Sequence, residues 1–343
     1  MEPVPLAPAD HDQSDDGDRR HRHHQDDRHG RGAGGLADHH GHVAAGDAAA
    51  RGGRRAHAAR VRPGTDRDRE VTSKGPPATP ATPSPPATPA TPVRARPQVI
   101  AHRGFSAEAP ENTLAAFRRA MVVGVDAVEL DVHLSADGEP VVIHDPLLER
   151  TTDGRGLVGA ETAEALRLLD AGRWFGEGFA GERIPTLAEA LHFLRPIRVI
   201  VEVKNGPVRY AGIAGAVAAV IAASGHRAVV VSSFDHELLP QIRAAVPGIE
   251  TAVLYVARPI DSVRLAQEAG AGILQPHWAF LTPDVVAAAH QAGLRVEPWV
   301  VDEPDHLAHV VAMTPDGVMT SYPDRLRAVL AKLGYPLPPA VTS

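Results

Sequence analysis

The chain has 343 residues, of which 43% are hydrophobic; it contains no cysteine and carries a formal net charge of −7 at pH 7. The absence of cysteine excludes disulfide bonds and thiolate metal sites. There is no run of 18 or more apolar residues to form a membrane span and no apolar core of a signal peptide, so we expect a cytoplasmic protein.

Residues 1–97 differ in composition from the rest of the chain. Residues 1–70 contain nine of the nineteen histidines and only five Val or Leu residues, and residues 76–92 repeat Ala-Thr-Pro four times. A segment so poor in apolar residues cannot offset the entropy of folding, and proline-rich repeats stay extended. We therefore predict a disordered tail and linker over 1–97 and one folded domain over 98–343.

The tail allows three interpretations. Its histidines could bind a metal, since histidine-rich tracts sometimes do; they are His21, His23, His24, His39, His40 and His42. An inert tail is the simpler interpretation. A third is that translation starts further downstream, near Val71.

The folded part is acidic, with 20 Lys or Arg against 29 Asp or Glu over residues 98–343, a net charge of −9. This balance argues against a nucleic-acid or anionic-membrane surface. Short apolar runs alternate with helical patterns, and the length is close to the roughly 250 residues of a (β/α)₈ TIM barrel. After a first strand at Val99–Ala101, we predict strands at Ala127–Val132, Arg198–Lys204, Ala228–Ser233, Thr251–Tyr255, Gly272–Gln275, Arg295–Val300 and Gly317–Thr320.

The first strand is followed directly by His102-Arg103-Gly104, at the strand end where parallel α/β folds place their chemistry. Asn112 is a plausible N-cap for the helix that follows, and Gly124 is its expected stop.

The second strand carries two carboxylates on one face. Glu129 and Asp131 are two residues apart, so they point the same way, and their repulsion needs a positive charge between them. A divalent cation with oxygen ligands meets that need.

A hairpin arm at Val141–His144 is predicted to follow. If Asp137-Gly138 forms a two-residue turn, Ala136 pairs with Glu139 and His144 lies opposite Asp131. A satisfied core histidine is the alternative interpretation of His144. His133 shares the face of Asp131 but lies nearer the turn, so we interpret it as accessory.

A long glycine-rich insertion then runs from Leu147 to Arg183, and its length favours a lid or substrate wall at the catalytic mouth. Further on, Pro185-Thr186-Leu187 is expected to open a helix. The third strand should direct Glu202 and Lys204 inward. Taken alone, that pair is also compatible with a structural ion pair.

Together, the motifs His102-Arg103-Gly104, Glu111-Asn112-Thr113, Glu129-x-Asp131 and His144-Asp145 resemble, in this order, the signature of the glycerophosphodiester phosphodiesterase family. The resemblance covers roughly residues 98–335. It implies a metal-dependent hydrolysis of small-molecule glycerophosphodiesters to glycerol 3-phosphate and an alcohol.

The resemblance also implies the roles of individual residues. Divalent Mg²⁺ or Ca²⁺ would be held by Glu129, Asp131 and Glu202. The phosphate would contact Arg103 and Lys204, and His102 and His144 would form the acid–base pair, in either order. Trp299 would wall the substrate pocket, although simple packing is the alternative.

Two positions depart from the family pattern: Asp302 stands where the family usually has Asn, and Ser321 where it has Asp. These departures bear on substrate preference. Phospholipase C-like and sphingomyelinase D-like (phospholipase D-like) enzymes of the same superfamily are alternative functions, and a catalytically silent phosphate-binding barrel is another. The oligomeric state cannot be predicted.

We predict that a chain shortened to begin at Pro97 keeps its melting temperature and turnover, because residues 1–97 contain few apolar side chains and none of the candidate site residues. Thermal unfolding and an activity assay on both chains test this. A large loss of either property would contradict it.

Overall fold

The computed structural model describes residues 96–341, which contain nine strands and nine α-helices. The strands are β1 Gln98–Ala101, β2 Ala127–Leu134, β3 Pro140–Val142, β4 Arg198–Val203, β5 Val229–Ser233, β6 Glu250–Tyr255, β7 Ile273–Pro276, β8 Arg295–Val296 and β9 Gly317–Thr320. The helices are α1 Leu114–Val123, α2 Ala163–Leu168, α3 Leu187–Phe193, α4 Ile213–Ser224, α5 Leu238–Ala245, α6 Ser262–Ala269, α7 Pro283–Gln291, α8 Pro304–Ala312 and α9 Pro323–Lys332.

Eight of the strands form a parallel barrel in the order β8-β7-β6-β5-β4-β2-β1-β9, and β3 pairs with β2 outside this ring. The ring closes through backbone hydrogen bonds between the segment from Val296 to Val301 and the region of β9, such as Val301 N–H to the Met319 carbonyl at 3.0 Å. The predicted TIM barrel with an antiparallel hairpin arm is confirmed. The predicted seventh strand is shorter than expected, because it pairs regularly only at Arg295 and Val296.

Successive side chains of each strand point alternately toward the helices and into the barrel, so the apolar side chains form two separate layers. On β4, Val199, Val201 and Val203 pack in the cluster between sheet and helices, whereas Ile200 packs inside the barrel. The barrel interior is filled by Ile100, Ala127, Ile200, Val230, Ala252, Ile273 and Met319. Because the interior is packed with apolar side chains, the polar residues of the same strand faces lie at the strand ends, such as Glu202 at the carboxyl end of β4 and Arg198, paired with Glu297, at its amino end.

The hairpin register differs from the prediction by one residue. The observed pairs include Val132 with Val142, and the Ile143 N–H donates to the Asp131 carbonyl at 3.0 Å. Ile143, and not His144, therefore lies opposite Asp131. His144 is one residue beyond the paired part of the arm.

The turn of this hairpin accounts for the difference. It spans three residues, Ala136 to Gly138, because the Ser135 N–H donates to the Glu139 carbonyl at 3.0 Å. The Ser135 hydroxyl accepts from the Glu139 N–H at 2.9 Å and donates to Asp137 at 2.6 Å. Gly138 takes a positive φ of 82°, the left-handed residue that a three-residue turn requires.

The N-cap of α1 is Thr113, whose side chain accepts from the Ala116 N–H, so the assignment of Asn112 as the cap was wrong by one residue. The Asn112 side chain bonds instead to Asp131 in the site. Gly124 ends α1 as predicted, and Thr186 caps α3 in a capping box with Glu189.

The insertion from Leu147 to Arg183 contains α2 and packs around its own apolar cluster, which includes Leu148, Val158 and Leu166 from the insertion and Ile143 from the hairpin. The insertion is therefore an ordered part of the barrel mouth with its own small apolar core.

At the start of the described chain, the Arg96 guanidinium makes two hydrogen bonds to the Asp126 carboxylate at 2.6 and 2.7 Å. Arg96 thus contributes a contact from just before the proposed start of the domain at 98. Among residues 96–341 no helix is long and apolar enough to cross a bilayer.

Candidate active site

The turn after β1 presents His102 and Arg103 to the barrel mouth. Gly104 takes a φ of 81°, and a Cβ there would lie 2.7 Å from the Ala116 backbone, so only glycine fits. Arg103 itself has a φ of 55°. Its backbone N–H donates to Glu129 Oε2 at 3.0 Å. Left-handed backbone at a residue other than glycine is a strained conformation of the kind found at functional sites.

Three carboxylates meet at the adjacent ends of β2 and β4. Glu129, Asp131 and Glu202 each offer an oxygen within 4.8 Å of the others, and all three residues are buried. Asp131 pairs directly with Glu202 in the parallel register, which explains how two separate strands bring these side chains together.

Two cations offset part of this charge. The Lys204 ammonium lies 2.9 Å from Asp131 Oδ1 and forms a short contact with Glu202. The Arg103 Nε lies 3.2 Å from Asp131 Oδ2, and the Asn112 amide donates to the same oxygen at 2.8 Å. Asp131 therefore has the most partners of the three carboxylates.

The pKa values of the three carboxyl groups differ because their numbers of cationic and hydrogen-bonding partners differ. Burial, reinforced by the charge of Asp131, raises the pKa of Glu129 well above its usual range. Burial also raises the pKa of Glu202, to about 7, although Lys204 opposes the shift. For Asp131 burial acts in the same direction, but Lys204 and Arg103 outweigh it and hold the pKa well below its usual range.

His144 is held from both sides. Its ring Nδ1 lies 2.6 Å from Asp145 Oδ1, and its backbone carbonyl accepts from His133 Nε2 at 2.8 Å. The other nitrogen of His133 lies 2.9 Å from the Tyr210 hydroxyl. Since a carbonyl can only accept, His133 carries a proton on Nε2. His133 thus supports the histidine loop, in keeping with its predicted accessory place.

His102 has a different environment. Its Nε2 lies 4.0 Å from Glu129 Oε2, and its buried Nδ1 makes no hydrogen bond. Burial lowers the pKa of His102 well below its ordinary value, and the neighbouring charge of Arg103 acts in the same direction. Burial also lowers the pKa of His144.

The predicted site residues line one cavity of about 170 Å³, except for Asp131, which is fully buried and contacts Lys204 and Arg103 of the lining. Among its lining residues are His102, Arg103, Glu129, His144, Glu202, Lys204 and Trp299. Trp299 packs on the interior cluster of the barrel, and its ring lies 5.5 Å from that of Phe234. It therefore both packs and lines the cavity.

An ion-pair network connects the two sides of the mouth. The Arg103 guanidinium donates to Glu111 at 2.8 Å, and Arg150 from the insertion donates to both Glu111 oxygens at 2.8 and 2.9 Å. Arg150 also donates to the two Asp145 oxygens at 2.6 and 3.1 Å. The hydrogen bond from Arg150 is the largest cause of a lowered pKa of about 2 at Asp145.

The carboxylate cluster fits a hard divalent cation. Glu129 Oε1 is buried without a hydrogen-bond partner, and the three residues offer oxygen ligands only. Oxygen donors of this kind are the ligands preferred by Mg²⁺ and Ca²⁺.

Comparison with known proteins adds independent information. Residues 102–325 match the glycerophosphoryl diester phosphodiesterase family. A protein of Caldanaerobacter subterraneus named glycerophosphodiester phosphodiesterase is 38% identical over 69% of this chain and 98% of its own length.

Solved structures agree. A phosphodiesterase of Oleispira antarctica, in complex with the product sn-glycerol-3-phosphate, is 32% identical, with a TM-score of 0.64 over 69% of this chain and 97% of its own. A putative glycerophosphoryl diester phosphodiesterase of Silicibacter pomeroyi is 29% identical, with a TM-score of 0.64 over 71% and 97% of the two chains.

Several residues of the mouth were not predicted to take part. Arg150 and Tyr210 reach Glu111 and His133, which are 39 and 77 residues away, and no pattern in the sequence points to these contacts. Asp145 lies in the His144-Asp145 motif, but its partner Arg150 comes from the insertion. Glu111 and Asn112 lie in a motif, but their partners Arg103 and Asp131 come from other segments.

The raised pKa of Glu202 predicts a pH-dependent stability in metal-free protein. The folded carboxyl binds its proton more tightly than the unfolded one, whose usual value is 4.5, so ionisation favours unfolding as pH rises from 4.5 to about 7. We expect the wild type to lose melting temperature relative to Glu202→Gln between pH 5 and pH 7 in the presence of a chelator. A constant difference over that range would contradict the assignment.

Proposed function

This chain belongs to the glycerophosphoryl diester phosphodiesterase family, and on that premise we propose how its mouth cleaves a phosphodiester. The chain is a glycerophosphodiester phosphodiesterase, a hydrolase. We propose that it takes small-molecule glycerophosphodiesters and water to glycerol 3-phosphate and an alcohol. The product complex of the Oleispira antarctica relative supports this substrate class.

The reaction sets three demands. A phosphodiester is an anion with a poor alkoxide leaving group, so its cleavage needs positive charge near the phosphate, a base for the attacking oxygen and an acid for the leaving oxygen. The observation that carries the proposal is that cationic, acidic and imidazole groups for all three demands line one cavity of about 170 Å³.

Glu129, Asp131 and Glu202 would hold the divalent cation. A bound Mg²⁺ or Ca²⁺ supplies Lewis-acid stabilisation of charge on phosphate oxygens. The carboxylates bring oxygen ligands that are already buried and within 4.8 Å of one another.

Arg103 and Lys204 would bind the non-bridging phosphate oxygens. Both cations already face the mouth, and Arg103 is directed there by its backbone turn and by Glu111. Because Lys204 pairs with Asp131 and Glu202 in the structure, binding a cation at these carboxylates would free the ammonium group for the phosphate.

His102 and His144 would transfer the protons. Neutral imidazole is favoured at both positions by burial, which suits one ring to accept a proton from the nucleophile. The Asp145 carboxylate would stabilise His144 when it is protonated, whereas His102 Nδ1 has no such partner. Trp299 would pack against the apolar part of the substrate.

The metal proposal predicts that chelation abolishes turnover and that Mg²⁺ or Ca²⁺ restores it. Glu129→Gln should weaken metal binding in a chain that remains folded, because it removes one charged ligand. The measurements are turnover and the rise in melting temperature with added metal. Glu268→Gln, at an exposed carboxylate paired with Arg264, is the matched control and should behave like the wild type. Full activity after exhaustive chelation would refute the metal proposal.

The histidine proposal predicts that replacing either His102 or His144 by Asn lowers turnover of glycerophosphocholine by roughly 10²–10⁴-fold, the usual size of a general acid or base contribution. An aryl ester such as a p-nitrophenyl phosphodiester has a good leaving group and needs little help from the acid. The variant lacking the acid should therefore recover much of its rate on that substrate, and the variant lacking the base should not.

These two substrates identify which histidine is which. Equal impairment of both variants on natural and activated diesters would show that the two rings do not divide the proton transfers. An untouched rate in both variants would reject the whole paired-histidine mechanism.

A further inference from the structure

Arg150 joins two carboxylates at the mouth, and the mechanism above gives it no role. Its guanidinium makes four hydrogen bonds, two to the Asp145 carboxylate and two to the Glu111 carboxylate. Planar two-point contacts of this kind fix orientation as well as distance, which a lysine ammonium cannot do. The two carboxylates that Arg150 joins in turn contact His144 and Arg103.

The backbone around Arg150 is anchored from within the insertion. Leu148 is buried in the apolar cluster of the insertion, and the Thr152 hydroxyl donates to its carbonyl at 2.7 Å. The Thr152 N–H donates to the same carbonyl at 3.1 Å. The guanidinium is thus presented from a fixed turn, while its side chain remains 43% exposed.

Building on the proposed function, we propose that Arg150 is a positioning residue for His144. Its guanidinium ties the Asp145 carboxylate to Glu111, and Asp145 in turn fixes the ring of His144 through Nδ1. Glu111 is itself held by Arg103, so the acid–base histidine and the phosphate-binding arginine are joined through one continuous chain of hydrogen bonds.

Removing Arg150 has a definite electrostatic consequence. Asp145 and Glu111 accept from the same Arg150 Nη2, at 3.1 and 2.8 Å, so the two carboxylates are close neighbours. Without the guanidinium they repel each other, and Asp145 loses the contact that directs it toward His144. The ring of His144 then samples other orientations, although the ring itself and all groups that contact the phosphate are still present.

A positioning role and a direct phosphate contact predict different kinetics. A residue that only orients His144 acts on the chemical step, so its loss lowers kcat and leaves KM nearly unchanged. A residue that binds the phosphate in the ground state raises KM when it is lost. The ratio of the two parameters separates these roles.

The experiment compares Arg150→Met, Arg150→Lys and Asp145→Asn with the wild type on glycerophosphocholine, with saturating divalent metal. We expect kcat to fall by about 10- to 100-fold in each variant, as is typical when a group that orients a functional residue is removed, with KM within about 3-fold. The double variant Arg150→Met with Asp145→Asn should have the same kcat as Asp145→Asn alone, because Arg150 acts through that carboxylate.

Added guanidinium ion, at concentrations too low to unfold the chain, should restore part of the kcat of Arg150→Met, since the site is partly open to solvent. It should not restore Asp145→Asn. Arg173→Met is the matched control: Arg173 lies in the same insertion, is 64% exposed and pairs with Asp170 and Glu177. That variant should keep wild-type kcat and melting temperature.

A wild-type kcat in Arg150→Met, a rise in KM without a fall in kcat, or full activity in Arg150→Lys would each overturn the positioning role. The His144→Asn variant, assayed alongside, distinguishes this from failure of the mechanism itself. If His144→Asn is fully active, the paired-histidine proposal fails. If it is impaired and Arg150→Met is not, only the role of Arg150 is wrong.

Discussion

The burial of three carboxylates within 4.8 Å of one another is the constraint on which the rest of the mouth depends. Like charges at that separation, above a barrel interior filled with apolar side chains, are strongly unfavourable unless cations compensate them. Lys204 and Arg103 provide that compensation from β4 and from the turn after β1. The two cations compensate only part of the charge, and the remainder raises the pKa values of Glu129 and Glu202. Asp131 and Glu202 lie side by side because β2 and β4 are neighbours in the barrel.

The insertion between β3 and α3 extends this charge compensation to the histidines. The ring nitrogen Nδ1 of His144 is held by Asp145, and without Arg150 the Asp145 carboxylate would keep only this contact to His144. His102 is anchored through its backbone instead, because its N–H donates to the Thr320 carbonyl at 2.9 Å. The two histidines thus line the same cavity from different elements. His102 follows β1 of the barrel, and His144 lies in a loop where Asp145 holds its ring.

Two errors of sequence reasoning have a common cause. The hydrogen bonds of Ser135 give a hairpin turn one residue longer than predicted, and the N-cap of α1 is Thr113 where Asn112 was predicted. Short polar side chains compete for backbone and side-chain partners, and several local arrangements have similar energies. For Asn112 the choice depends on Asp131, 19 residues away, whose oxygen accepts from its amide. Local patterns do not contain that information.

The sequence by itself determined the barrel, the strands that form it and the face of each strand, because alternation of apolar side chains over buried parallel strands leaves few arrangements. It also determined that Glu129 and Asp131 share one face and that Glu202 and Lys204 share another, because side chains alternate along a strand. Their convergence further requires the parallel pairing of β2 with β4. Only the tertiary structure decided how they are connected. The links from Arg103 through Glu111, Arg150 and Asp145 to His144 join segments up to 39 residues apart, and hydrogen bonds of that separation depend on the packing of the insertion, which has no repeating pattern.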